Sequence, residues 1–85
     1  MLDRVLVDDR ISQMVREFAP ALPSDPQRAR EADLPDAGLT SVAAVKLMLA
    51  VEAAFDLEIP DADLTPENFR SVASIGRLVA RLRGG

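Results

Sequence analysis

The side chains best placed for covalent chemistry in this chain lie in Asp36-Ala37-Gly38-Leu39-Thr40-Ser41-Val42, a glycine-containing turn that sets a serine at the start of a strongly apolar helix. A hydroxyl there can carry a phosphodiester, because a helix N-terminus offers unpaired backbone N–H groups and the positive end of the helix dipole. Gly38 lets the turn bend sharply and keeps the approach to the hydroxyl open. The same residues also suit an ordinary helix start. Thr40 is a good N-cap type whose oxygen can accept an early backbone N–H. Ala43, three residues later, denies it a capping box.

Little else in the chain is chemically equipped. It contains neither cysteine nor histidine, which removes disulfides, thiolate nucleophiles, the usual general base near neutral pH and most soft metal ligands. Carboxylates, one lysine and hydroxyls remain, so a chain that is not an enzyme by itself is expected. The acids Asp56, Glu58, Asp61, Asp63 and Glu67 invite a calcium reading. An EF-hand opened by Asp61 would need glycine at its sixth position, where Pro66 stands. These acids read as solvated loop residues, and no metal is expected. The formal net charge of −4 argues against a nucleic-acid backbone as partner and for basic protein surfaces.

The elements that position Ser41 are read from periodicity. Leu2, Val5, Leu6, Ile11, Met14, Val15 and Phe18 share one helical face, which predicts a first helix ended by Pro20. Residues Pro20 to Pro35 hold four of the six prolines and no usable period, and read as one long surface loop. Thr40 caps a second helix running to about Phe55. Asp56 to Leu64 form an acidic link. Thr65-Pro66-Glu67-Asn68 signals a short third helix through about Phe69. Ser71 caps a last helix with the stripe Val72, Ile75, Leu78, Val79 and Leu82, stopped by Gly84 and Gly85. Met14, Met48, Phe18, Phe55 and Phe69 fall at core positions. No alternating β-branched run occurs, so the expected fold is all-α, a small four-helix bundle in one domain spanning 1–85, with a long loop between helices 1 and 2.

Charge is uneven: residues 41–69 hold six acids and one base, and residues 70–85 four arginines and no acid. The second helix carries two apolar faces. Ala44, Leu47, Met48, Val51, Ala54 and Phe55 complete a core stripe, while Val42, Val45, Leu49 and Ala53 form another. A domain of 85 residues buries only roughly 60–65% of its unfolded surface. The second stripe is therefore expected to stay partly exposed beside Ser41, as a docking face.

The order of these parts resembles the acyl carrier protein family: a long first helix, a proline-bearing loop, Gly38-Leu39-Thr40-Ser41-Val42, an apolar helix ending Val51-Glu52-Ala53-Ala54-Phe55-Asp56, then Leu57-Glu58-Ile59-Pro60-Asp61 and two closing helices. The resemblance covers nearly the whole chain and is strongest from Asp36 to Leu82. It implies that Ser41 bears 4'-phosphopantetheine, attached by a phosphopantetheinyl transferase, and that the thiol of that arm holds a carboxylic acid as a thioester. The chemistry then resides in the cofactor and in partner enzymes.

Thr40-Ser41-Val42 stands where the family commonly has Asp-Ser-Leu, and Lys46 stands where fatty-acid carriers often have Glu. Ala37-Gly38-Leu39-Thr40-Ser41 followed by Leu47-Met48-Leu49-Ala50 looks more like the stand-alone bacterial carriers loaded with a small amino acid by ligases that resemble class II aminoacyl-tRNA synthetases. That likeness implies an aminoacylated arm on Ser41 and docking through Leu39, Val42, Val45, Lys46 and Leu49. A carrier of a short acyl or polyketide intermediate, or an unmodified helical adaptor in which Ser41 only starts a helix, are the alternatives. The N-terminus lacks the basic and apolar regions of a signal peptide, and no stretch has the length of a membrane span. A cytoplasmic monomer is expected.

Overall fold

The computed structural model describes residues 4–84. Leu2 and Gly85 of the predicted elements, and the side chains of Val5 and Leu6, lie outside the described residues. The order is α1 (Arg4–Arg16), α2 (Pro26–Glu31), α3 (Ser41–Phe55), a 3₁₀ turn (Asp61–Asp63) and α4 (Val72–Leu82). The fold is an all-α bundle of acyl-carrier type, with no strand among the described residues.

The predicted stripes become the core. Ile11 and Val15 of α1, Leu47 and Val51 of α3, and Val72, Ile75, Leu78 and Val79 of α4 are buried in one cluster, with Met14, Phe18, Met48 and Phe69 packed against it. α4 runs against α1, and α2 touches both. Ser71 caps α4 by accepting the Ser74 N–H at 3.1 Å. The Ser74 hydroxyl in turn accepts the Ser71 N–H at 3.0 Å, a capping box built with serine where glutamate or glutamine is usual.

Two expectations need correction. The connection from Pro20 to Pro35 contains α2, entered through Asp25 with Pro26 in its first turn. Six residues burying only Ala29 cannot show a period, but Arg30 anchors them by donating to the buried Asp8 carboxylate at 2.8 Å. The short helix expected over Thr65–Phe69 is a run of tight turns. Asn68 N–H donates to Thr65 O and Phe69 N–H to Pro66 O, each at 3.2 Å. Thr65 still caps, accepting the Asn68 N–H at 3.3 Å, but the bonds span three residues and the chain must straighten by Ser71, at φ −147°. Among the described residues four α-helices result, because α2 is present where that one is not.

Candidate attachment site

The serine is held by a turn clamped on both sides. Gly38 N–H donates to Pro35 O at 3.1 Å, Leu39 N–H to Leu34 O at 3.0 Å, and Ala21 N–H to Ala37 O at 2.9 Å, which ties the turn to the segment leaving α1. Gly38 has φ +102°, in the region that disfavours side chains, and a Cβ there would sit 3.1 Å from Pro20 Cδ. Glycine is thus required both for the bend and for the close approach. Below the turn, Asp33 receives the Arg70 guanidinium at 3.0 Å and the Asp36 N–H at 3.2 Å. The Arg70 hydrogen bond, then the Asp36 N–H, hold the Asp33 carboxyl below the usual carboxylate range.

Thr40 has extended backbone and its hydroxyl accepts the Ala43 N–H at 3.1 Å. The first intrahelical bond runs from Ala44 N–H to Thr40 O at 2.8 Å. Ser41 is therefore the first residue of α3, and its side chain is exposed. Because Thr40 supplies the cap, the Ser41 hydroxyl is not spent on the fold. The N–H groups of Ser41 and Val42 precede the first intrahelical bond and lie at the positive end of the dipole.

A groove of about 450 Å³ opens beside Ser41, between α3 and the turns at 64–69. Its walls include Leu39, Ala44, Val45 and Met48 on one side and Leu64, Pro66 and Phe69 on the other. Asn68 fixes the far wall by donating its side-chain N–H to Asp63 O at 2.8 Å, and Arg81 holds the Asp63 carboxylate at 2.8 Å. Periodicity gave no sign of this far wall, because the turns that form it carry none.

The second stripe of α3 faces outward: Val42 is 69% exposed, Val45 and Leu49 55% each, and Lys46 and Ala53 are exposed with them. At about 100° per residue around the helix, Val42, Val45 and Leu49 lie within roughly 40–100° of Ser41, on one sector next to it. Leu39 differs from its expected neighbours. It is only 8% exposed and belongs to the core cluster, where it also lines the groove. The acids after α3 form no group of three that could hold a metal among the described residues. No described helix is long and apolar enough to cross a membrane.

A helical bundle presenting an exposed serine at a helix start, next to an apolar groove, has room there for a tethered group. Residues 9–82 match the family described as Phosphopantetheine attachment site. Aminoacyl carrier protein 1 of Bradyrhizobium diazoefficiens is 55% identical over 49 residues, a match covering 58% of this chain and 54% of that protein. The chain thus spans about half the length of that curated relative. Aminoacyl carrier protein 2 of the same organism is 40% identical over 78 residues, covering 92% of this chain and 88% of that protein. In a crystal structure of Bradyrhizobium japonicum glycine:carrier protein ligase complexed with glycylated carrier protein, the similar chain is 39% identical, with a TM-score of 0.66, 88% of this chain covered and 96% of that one.

The chain belongs to the phosphopantetheine-attachment family, and within it to the aminoacyl carrier proteins. Its cofactor is covalently held 4'-phosphopantetheine. The residues fit such a group: an exposed hydroxyl, helix-terminal N–H groups for its phosphate, and an open groove alongside.

Proposed function

We propose that Ser41 is the attachment point of the phosphopantetheine arm and that the chain, itself non-catalytic, carries an amino acid as a thioester on that arm. The observation that carries this reading is the exposed Ser41 hydroxyl at the first position of α3, freed from capping by Thr40. Ser41 Oγ bonds to the phosphate, and the Ser41 and Val42 N–H groups favour its negative charge. When bound, the arm supplies the thiol that holds the carried acid as a thioester.

Glycylation of a similar carrier beside its ligase supports a small amino acid as cargo. It also supports an amino acid:carrier protein ligase, of the kind resembling class II aminoacyl-tRNA synthetases, as the loading enzyme. A phosphopantetheinyl transferase installs the arm. Val42, Val45, Lys46 and Leu49 form the docking face, and Leu39 supports it from beneath. Lys46 within an apolar sector favours a partner with an apolar patch and an acid over one that reads a strongly acidic helix. The protein works as a single-domain monomer in the cytoplasm.

Intact mass after co-expression with a phosphopantetheinyl transferase tests the attachment. The expected result is a gain of one arm by the parent and none by Ser41→Ala; no gain by the parent, or a gain by the variant, refutes it. The arm-bearing protein, offered to glycine:carrier protein ligase and to malonyl or acyl transferases, should be charged by the former. The apolar groove favours an acyl carrier as the second reading, and charging only by the acyl enzymes would establish it.

A further inference from the structure

The turn that carries Ser41 is tied to the entry of α4 by one residue acting twice. Arg70 accepts the Leu34 N–H on its carbonyl at 2.8 Å, and its guanidinium donates to one oxygen of Asp33 at 3.0 Å. The other Asp33 oxygen accepts the Asp36 N–H at 3.2 Å, and Leu34 O accepts the N–H groups of Ala37 and Leu39, each at 3.0 Å. A single carboxylate thus joins a cation 37 residues away to the turn that ends two residues before Ser41. Arg70 first, and then the Asp36 N–H, hold that carboxyl below the usual range, so it is charged at neutral pH. The pair is open to water, with the Arg70 and Asp33 side chains 70% and 32% exposed, and such pairs add little to stability. The backbone bond from Leu34 to Arg70 does not depend on the side chain at 70. What the pair governs is the placement of the turn, not whether the chain folds.

We infer that Asp33 and Arg70 are positioning residues for installation of the arm, holding the Ser41 turn in the arrangement the transferase binds, and that they have no such part in loading the finished arm. This rests on Ser41 as the attachment point. In installation the reacting atom belongs to the fold: Ser41 Oγ forms the new P–O bond to the pantetheine phosphoryl of a nucleotide-pantetheine diphosphate. The diphosphate P–O bond breaks, the hydroxyl proton passes to a base of the transferase, and the nucleotide leaves as its phosphate. Orienting the attacking group in advance lowers the entropic cost of that encounter. Loading happens at the far end of a flexible arm, where bond rotations absorb a small displacement of Ser41. Without the ion pair a smaller fraction of molecules holds the turn in register, and apparent affinity for the transferase falls by that fraction.

The test is arm transfer from coenzyme A to the full arm-free chain by a phosphopantetheinyl transferase, followed by intact mass at several carrier concentrations. Arg70→Gln and Asp33→Asn should each raise KM about 2–10-fold at near-parental kcat, as expected for a reduced competent fraction. Arg70→Lys keeps the charge and can still donate to Asp33, so it should behave like the parent. Amide hydrogen exchange at Ala37 and Leu39 should quicken in the Gln and Asn variants, with the core amides of α4 unchanged. Once armed, both should be charged by glycine:carrier protein ligase at the parental rate. Parental KM in both variants, Arg70→Lys as impaired as Arg70→Gln, or charging that falls as far as installation would each overturn the inference while leaving attachment intact. A parent that takes no arm, or Ser41→Ala that takes one, would bring down the attachment reading as well.

Discussion

Gly76→Ala should destabilise this bundle, although alanine is the better helix former. Gly76 lies within α4, opposite α1, and a Cβ built on it overlaps Asp8 Oδ1. Asp8 is fully buried and cannot swing into water; its Oδ2 receives Arg30 at 2.8 Å, and Oδ1 has no hydrogen-bond partner among the described residues. The propensity gain of alanine over glycine is about 0.8–1 kcal/mol. Forcing a methyl against an immobile carboxylate costs about 1–3 kcal/mol by overpacking. If α1 and α4 separate enough to part Asp8 from Arg30, a broken buried pair costs about 3–5 kcal/mol. The Arg30 side chain is 39% exposed and can rehydrate, so that figure is an upper bound. The net expectation is a loss of about 0–2 kcal/mol from overpacking alone, rising towards about 4 kcal/mol if the pair parts, from a total of roughly 4–13 kcal/mol for a domain of this size. Urea unfolding followed by helical circular dichroism measures it. In an Asp8→Ala background the new methyl meets space, and Gly76→Ala should become neutral or stabilise by up to about 1 kcal/mol. Stabilisation of the parent by Gly76→Ala, or an equal cost in both backgrounds, would refute the steric argument.

Leu49→Glu should impair charging by the ligase severalfold while changing stability by only about 0.5 kcal/mol or less, because the side chain is already largely in water; loss of helical dichroism would instead make Leu49 a core residue. Stability should also fall in acid through Asp33. Its carboxyl titrates lower in the folded than in the unfolded chain because of Arg70. On acidification the unfolded chain therefore takes up the proton first, so the contribution is complete above the ordinary value of 3.8 and is lost as pH falls through the folded value. Denaturant titrations between pH 5 and pH 2 should show a shallower acid slope for Arg70→Gln than for the parent, and identical slopes would remove Arg70 as the cause.

How far the sequence could be read depended on whether a residue's role was local. Thr40 and Ser71 are recognisable caps because the bond each makes lies three residues away, and the stripes of α1, α3 and α4 repeat often enough to reveal a face. α2 was illegible because what holds it is distant in sequence: Arg30 reaches Asp8, 22 residues away, and Ala29 packs into the core cluster. Asp8 itself looked like one of several N-terminal acids, and nothing local distinguishes it from exposed Asp9. The fit of Asp8 to Gly76 requires knowing that α1 and α4 are neighbours. The same limit hid half of the groove: Ser41, Val45 and Met48 belong to a periodic helix, but Leu64, Pro66 and Phe69 reach it only through turns. Leu39 shows the reverse limit: the likeness implies docking through it, and no local pattern tells that it also folds into the core while lining the groove.

The two apolar faces assigned to α3 resolve into three sectors. Measured from Ser41 at about 100° per residue, Leu47 and Val51 lie near 240–280° and are buried. Ala44, Met48 and Val45 lie within about 60° on either side of the serine, where they line the groove. Val42, Leu49 and Lys46 lie near 80–140° and face solvent. Each sector sets a different demand on residue type: packing in the first, an uncharged lining in the second, an exposed surface with one cation in the third. Apolar residues satisfy all three, which is why the helix looks hydrophobic all round without being buried all round. Ser41 sits on the axis of the middle sector, so a group attached there has the groove directly along its helix face and the exposed sector to one side. A substitution that rotated α3 by a single residue would exchange these surfaces by about 100°, and the clamped turn at Gly38 and the Thr40 cap are what fix that register.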